Sequence, residues 1–290
     1  MNNIFKIRLY LLFFVSFSSL AGSPVWKLSH GDRCLYLGGT IHLLGKQDYP
    51  LPEVFKRAYQ QSSVIVFETD MQKAKTPEFQ QLMTQKLVFS NGQTIKDVID
   101  NKTFKRLADY AQANGIAIAN LMPLKPGLLV MVLTISELQR LGIANAGVDE
   151  FYHQKALSDH KQTDFLETIE EQLQFFVNMG KGNESEFVNY SLSDLKDMSG
   201  FMGQMKQAWR QGDNQLLGEI ALVSWKEEFP QLYEEMLVKR NNNWMPKIEK
   251  MLTTDAVEMV LVGALHLVGE DGVIAQLKAR GYQVVQMQNN

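Results

Sequence analysis

Two copies of one short motif are the residues of this chain best suited to chemistry. Residues 39–45 read GTIHLLG and residues 263–269 read GALHLVG, and each copy follows an apolar run, CLYLG or VEMVLVG. An imidazole beside a strand end can bind a metal ion or transfer a proton near neutral pH. A single histidine there is more often structural. The matching flanks of the two copies favour one site that contains both His42 and His266.

Glu68 is the third candidate, because it ends the continuously apolar run VIVF, which is typical of a strand buried in a parallel sheet. A carboxylate at such a strand end needs a cation, a metal or solvent. Together with His42 and His266 it forms a ligand set for Zn, Mn or Co that leaves room for a bound water. The sequence therefore predicts a divalent metal site, and the spacing does not choose among these metals. A helix-capping or ion-pair role is the structural alternative for Glu68.

Four more polar residues could surround this site. Glu167 ends the short run DFLE and could act as a further ligand, a general base or a partner of a histidine; its alternative is a helix N-terminal carboxylate. Asp149 and His153 belong to one predicted helix, from which His153 could face the cleft. Arg240 could pair with a carboxylate of the site or of a substrate, or form a structural ion pair.

The elements that must position these residues follow a β-α-β order near both ends of the chain. Apolar runs predict strands over residues 25–28, 34–37, 63–67, 163–166, 257–262 and 283–287. Open α/β sheets bind ligands at the carboxyl ends of parallel strands, which would bring His42 and His266 together. The expected fold is α/β, with a mixed, largely parallel central sheet built from the N- and C-terminal halves and a helical middle insertion.

The middle of the chain is predicted to be helical over residues 101–114, 128–141 and 169–179, from the spacing of the apolar residues. A later helix is placed over residues 246–252. Residues 180–213 are polar and weakly patterned, which indicates a helical excursion or a lid. The length of residues 22–290 suits one domain.

The first 21 residues have the pattern of a signal peptide. Lys6 and Arg8 precede an apolar stretch over residues 9–20, and Ser19 and Ala21 offer small residues for cleavage. The stretch is shorter than the roughly 20 residues of a membrane-spanning helix, although an uncleaved anchor is the alternative. We therefore expect an exported protein, periplasmic or extracellular after cleavage near Ala21, with no membrane span in the mature chain.

Charge, cysteine content and missing motifs argue against several classes of partner and enzyme. Loss of Lys6 and Arg8 lowers the basic count from 29 to 27 against 32 acidic residues, which argues against nucleic acid as a partner. Cys34 is the only cysteine, so an intramolecular disulfide is impossible. The chain contains no HExxH, no glycine-rich phosphate loop and no Gly-x-Ser-x-Gly motif, which argues against the enzymes that depend on them.

The chain resembles the TraB/PrgY/GumN family over essentially its whole mature length. The resemblance lies in GTIHLL, LPEVFKRA, VIVFETD, GVDEFY, FLETIEEQ, VKRNNNW and VGALHLVGEDGVIAQLKARGYQV, in that order. The Tiki members of that family are regarded as metal-dependent proteases with paired Gly-x-x-His motifs and an essential glutamate, which correspond here to His42, His266 and Glu68. Other members are described as inhibitors of pheromone signalling, and related folds bind haem.

Two functions follow from these observations. The first is an exported metal-dependent hydrolase that acts on a peptide or protein, with the metal on His42, Glu68 and His266 and with Glu167 as proton acceptor. The second is a non-catalytic binding or signalling-inhibitor module that sequesters a peptide or haem in the same cleft and needs no stoichiometric divalent ion.

Overall fold

The computed structural model describes residues 22–289, so the predicted signal peptide, residues 1–21, lies outside the described part of the chain. The strands are β1 (Val25–His30), β2 (Arg33–Thr40), β3 (Leu43–Gly45), β4 (Val64–Phe67), β5 (Ile143–Ala146), β6 (Gln162–Phe165), β7 (Glu258–Gly263) and β8 (Gln283–Gln286). Six of them form one sheet in the order β6-β4-β7-β2-β1-β8, and β3 pairs with β5 in a separate small sheet. β6, β4, β7 and β2 are parallel neighbours, whereas β1 is antiparallel to both β2 and β8. The predicted mixed, largely parallel sheet is confirmed.

The two central strands, β4 and β7, are apolar apart from Glu258 because helices and loops cover both of their faces. All of β4 is buried, as is β7 up to its last residue, as expected for parallel strands inside an α/β protein. The register pairs Thr40 with Gly263 and Phe67 with Leu261. The carboxyl ends of these strands therefore lie at one edge of the sheet.

Helices occupy most of the chain between β4 and β7, as predicted. In chain order the helices are α1 (Glu53–Gln61), α2 (Pro77–Leu87), α3 (Asn101–Ala113), α4 (Ile118–Leu121), α5 (Pro126–Arg140), α6 (Val148–Ser158), α7 (Ile169–Asn178), α8 (Glu184–Gln211), α9 (Asn214–Ala221), α10 (Val223–Glu228), α11 (Pro230–Tyr233), α12 (Lys239–Met251), α13 (Ala264–Leu267) and α14 (Val273–Ala279). A π-helix, Glu234–Val238, precedes α12. Within residues 22–289, none of the helices combines the length and the apolar character needed to cross a membrane.

Helix α12 differs from its predicted bounds. The sequence predicts this helix over residues 246–252, but the helix begins at Lys239 and contains Pro246. Arg240, Trp244 and Ile248 recur every four residues and are buried. Packing of this stripe against the sheet extends the helix, and tertiary contacts of this kind commonly override local propensity.

Helix α8 accounts for most of the polar segment 180–213. Its Trp209 side chain is fully buried, and the indole Nε1 donates a hydrogen bond to the Gly39 carbonyl oxygen at 2.7 Å. The Trp209 and Phe55 rings lie 5.9 Å apart. The end of this helix therefore supports the backbone of the first Gly-x-x-His motif.

Replacing Trp209 by phenylalanine should lower the free energy of unfolding by about 2 kcal/mol, through the lost hydrogen bond and a small cavity. Urea denaturation measures the change. Phe201→Leu, on the exposed side of the same helix, should change the value by less than about 0.5 kcal/mol. Equal effects of the two substitutions would contradict the supporting role of Trp209.

Candidate functional site

The carboxyl ends of four neighbouring parallel strands supply the residues of the candidate site. Glu167 follows β6, Glu68 follows β4, His266 follows β7 and His42 follows β2, so the residues are supplied in the spatial order of the strands. His266 lies on the short helix α13, whereas His42 lies in the link between β2 and β3. The two Gly-x-x-His copies thus reach the same edge with different local structures.

Three of these side chains converge above Gly263. The Gly263 N–H donates to Glu68 Oε1 at 2.6 Å. A Cβ atom built on Gly263 would lie 3.4 Å from Glu68 Oε1, 3.6 Å from His42 Nε2 and 3.6 Å from His266 Cδ2. Glu68 Oε1 and His42 Nε2 are therefore at most 7.0 Å apart (3.4 Å plus 3.6 Å). Absence of a side chain at Gly263 is what allows the close approach.

Arg240 of α12 is the central cation of the site and is only 5% exposed. Its Nη2 donates to Glu68 Oε2 at 2.6 Å and to Glu167 Oε1 at 2.6 Å, and its Nε donates to Glu167 Oε2 at 3.1 Å. Its Nη1 lies 2.9 Å from His266 Nε2. One buried guanidinium thus balances two buried carboxylates and contacts one imidazole.

Charges and burial set the protonation of the buried groups. Burial is the largest single influence on Glu68 and opposes its ionisation, but the Arg240 guanidinium, the imidazoles of His266 and His42 and the Gly263 N–H together lower the pKa of Glu68. Burial and Arg240 together lower the pKa of His266 to about 3, so this imidazole is neutral. His266 Nδ1 lies 2.7 Å from Asn241 Oδ1 and must donate to it. The Nε2 lone pair of His266 therefore faces Arg240.

His42 differs from His266 because 61% of its side chain is exposed. Its Nδ1 lies 3.2 Å from Asp149 Oδ2, and the Asp149 carboxylate raises the pKa of His42 to about 9. Asp149 holds Nδ1, so Nε2 is the nitrogen that faces Gly263. A ligand bound to Nε2 must compete with the proton.

A cleft of about 220 Å³ opens beside His42. It is lined by polar residues (Thr40, His42, Glu68, Thr69, Asp149 and Gln172) and by apolar ones (Phe67, Met71, Phe176 and Leu261). The Thr40 and Thr69 hydroxyls and Asp149 Oδ1 are buried and have no hydrogen-bond partner within residues 22–289. Buried polar atoms normally have hydrogen-bond partners, so these three oxygens could form hydrogen bonds with a molecule bound in the cleft.

Three of the four predicted surrounding residues belong to the site: Asp149 contacts His42, Arg240 contacts Glu68 and His266, and Glu167 accepts hydrogen bonds from Arg240. His153 does not, because it is buried against Phe67, with the ring centroids 5.4 Å apart, and does not line the cleft.

Three residues without a predicted role also contribute. Asn241 orients His266, Trp244 Nε1 donates to Glu167 Oε2 at 3.1 Å, and Gln172 Nε2 lies 3.4 Å from Glu68 Oε2. The four-residue spacing of Arg240, Trp244 and Ile248 was the sequence signal that could have predicted a buried Trp244.

The donor set fits a divalent metal in its chemistry. Two imidazole nitrogens and one carboxylate can act as ligands once His42 has lost its proton, and Asp149 and Asn241 hold the opposite nitrogens as partners of metal-bound histidines commonly do. Arg240 now contacts both His266 Nε2 and Glu68 Oε2, so a metal on both atoms requires its guanidinium to move. Within residues 22–289, no three His, Cys, Asp or Glu side chains are arranged to hold a metal ion.

Comparison with known proteins identifies the family. The model of the TraB/PrgY/gumN family matches residues 24–286. The chain is 26% identical over 254 residues to "Uncharacterized protein YbaP" of Escherichia coli (strain K12), covering 86% of this chain and 89% of that protein. "Uncharacterized protein YbaP" of Shigella flexneri matches with the same identity and coverage. No solved structure was found to match. Because the family match spans the whole candidate site, this chain belongs to the TraB/PrgY/gumN family.

Proposed function

We propose that this protein is an exported metal-dependent hydrolase that cleaves peptides. The observation that carries the proposal is the convergence of His42 Nε2, Glu68 Oε1 and the His266 ring above Gly263, at the carboxyl edge of the sheet. Each histidine has its second nitrogen held by an oxygen of Asp149 or Asn241, as metal ligands require.

His42, Glu68 and His266 would hold the ion, which when bound would polarise a carbonyl group and lower the pKa of a water molecule. Both oxygens of Glu167 already accept hydrogen bonds from Arg240. Glu167 is therefore occupied and is poorly placed to accept a proton. Its role would be to keep Arg240 in an ion pair while Glu68 coordinates the metal ion. The hydroxyls of Thr40 and Thr69 would orient the substrate in the cleft.

Metal removal tests this proposal. Protein purified without chelator should contain about one Mn, Co or Zn ion per chain by elemental analysis and should hydrolyse members of a fluorogenic peptide library. Treatment with EDTA should abolish hydrolysis, and one of these ions should restore it. Absence of a stoichiometric ion, together with no response to any of the three, would refute the metal-dependent mechanism.

A non-catalytic binding module is the second candidate. It is favoured by Arg240, which balances the charge of Glu68 without any metal. A module that sequesters a peptide or haem should bind its ligand equally well with and without EDTA. Its thermal midpoint should not rise when Mn or Co is added, because only a ligand of the folded state stabilises it.

Export through a cleaved signal peptide is part of the proposal. Cleavage after Ala21 would leave Gly22, Ser23 and Pro24 before β1 and would remove no residue of the sheet. N-terminal sequencing of the mature protein should therefore begin at or near Gly22. Recovery of intact Met1 from the periplasmic fraction would contradict cleavage.

A further inference from the structure

A second cavity, of about 400 Å³, lies beside α7 and is distinct from the His42 cleft. Its walls include the aromatic residues Phe175, Phe187 and Phe229 and the acidic residues Glu186 and Glu228. We propose that this α7–α8 cavity binds an arginine or lysine side chain of a peptide together with an apolar neighbour. As a substrate subsite it rests on the proposed hydrolase function.

The cavity and the candidate site share structural elements. Gln172 and Phe176 of α7 line the His42 cleft, whereas Phe175 of the same helix lines the cavity. The Phe175 ring centroid lies 5.4 Å from Arg240 Cζ, and the Met236 carbonyl, also of the cavity wall, accepts from Arg240 Nη1 at 3.4 Å. A peptide that occupies the cavity therefore lies next to the residues that hold Glu68 and His266.

Aromatic surface gives the cavity its affinity for a cation with an apolar stem. Phe175 and Phe229 are only half-buried, so part of each ring is available to a ligand. Tyr190 packs edge-on against Phe229, with the ring centroids 4.5 Å apart, and holds it in place. Faces of aromatic rings attract guanidinium and ammonium groups, and the methylene stems of arginine and lysine pack on apolar surface.

The charges at the cavity select for a positive ligand. Glu186 and Glu228 are exposed and form no ion pair with any residue of the described chain. Glu235, a third acidic lining residue, is already paired with Lys239 at 3.0 Å. Lys181 is the single basic residue among the described lining residues. Two carboxylates therefore remain available, and the volume falls within the range of about 300–1,000 Å³ that is usual for ligand sites.

Isothermal titration calorimetry on the metal-free protein tests the proposal without hydrolysis. N-acetyl-Leu-Arg-amide should bind about tenfold more tightly than the citrulline peptide, which has the same shape and no charge, because cation–π and ion-pair contacts are lost. The double variant Glu186→Gln, Glu228→Gln should weaken binding of the arginine peptide about fivefold and leave that of the citrulline peptide unchanged. Glu234→Gln, which removes an exposed carboxylate outside the cavity lining, should change neither affinity.

Equal affinity for the two peptides, insensitivity to the double variant or no binding at millimolar peptide would overturn the proposal. The experiments distinguish failure of this subsite from failure of the proposed hydrolase function. If the parent binds metal and hydrolyses peptides but shows no preference for arginine, only the subsite is refuted. If the arginine peptide binds through Glu186 and Glu228 while neither metal nor hydrolysis is found, the cavity stands as a peptide site and the hydrolase function is refuted.

Discussion

Replacing Arg240 by methionine should lower the free energy of unfolding at pH 7 by about 4 kcal/mol, because removal of one partner leaves buried charges uncompensated. The guanidinium is the shared partner of Glu68 and Glu167, both of which are buried. Urea denaturation of the metal-free protein measures this effect. Simultaneous Glu68→Gln and Glu167→Gln in the Arg240→Met background should recover a large part of the loss, since the two charges are then absent.

Arg280→Met is the matched control, because Arg280 pairs with Glu249 at 2.7 Å in a partly exposed ion pair. Its cost should stay below about 1 kcal/mol. If Arg240→Met costs no more than the control, Arg240 does not balance the two carboxylates.

The same variant tests the competition between Arg240 and a metal ion. Without the guanidinium on Glu68 and His266, added Mn²⁺ should raise the thermal midpoint more in Arg240→Met than in the parent, through mass action on the folded state. A smaller rise in the variant would show that Arg240 assists metal binding rather than opposing it.

Replacing His42 by alanine should reduce peptide hydrolysis about 1,000-fold, because His42 would hold the ion that lowers the pKa of the attacking water, and should abolish the metal-dependent rise in thermal midpoint. The stability of the metal-free protein should fall by only about 1 kcal/mol, because the ion pair that is lost joins a 61% exposed imidazole to Asp149. Peptide hydrolysis assays and urea denaturation with EDTA measure the two effects.

His30→Ala removes an exposed imidazole far from the site, at the end of β1, and should leave hydrolysis unchanged. Retained hydrolysis in His42→Ala would remove His42 from the mechanism. His266→Ala is a poorer test because His266 is buried, packs 4.5 Å from the Trp244 ring and contacts Asn241. Its removal should cost stability as well as any activity.

The sequence alone determined the sheet and the candidates at its edge. The runs CLYLG and VIVF, and VEMVLVG apart from Glu258, are apolar because both faces of central strands are covered, so they were recognisable without tertiary information. His42, Glu68 and His266 directly follow those strands, and parallel order brings strand ends to one edge. These residues were therefore predictable as neighbours, although 224 positions separate the two histidines.

Only the tertiary structure decided how the site is balanced and oriented. Arg240 and Asn241 reach Glu68 and His266 from α12, and Gln172 reaches Glu68 from α7. Trp209 reaches Gly39 from the end of α8. No local pattern specifies such partners, because they depend on how each helix packs on the sheet and on which of its faces turns inward. The same packing separates His153 from the cleft and brings Phe175 against Arg240 and into the lining of the second cavity.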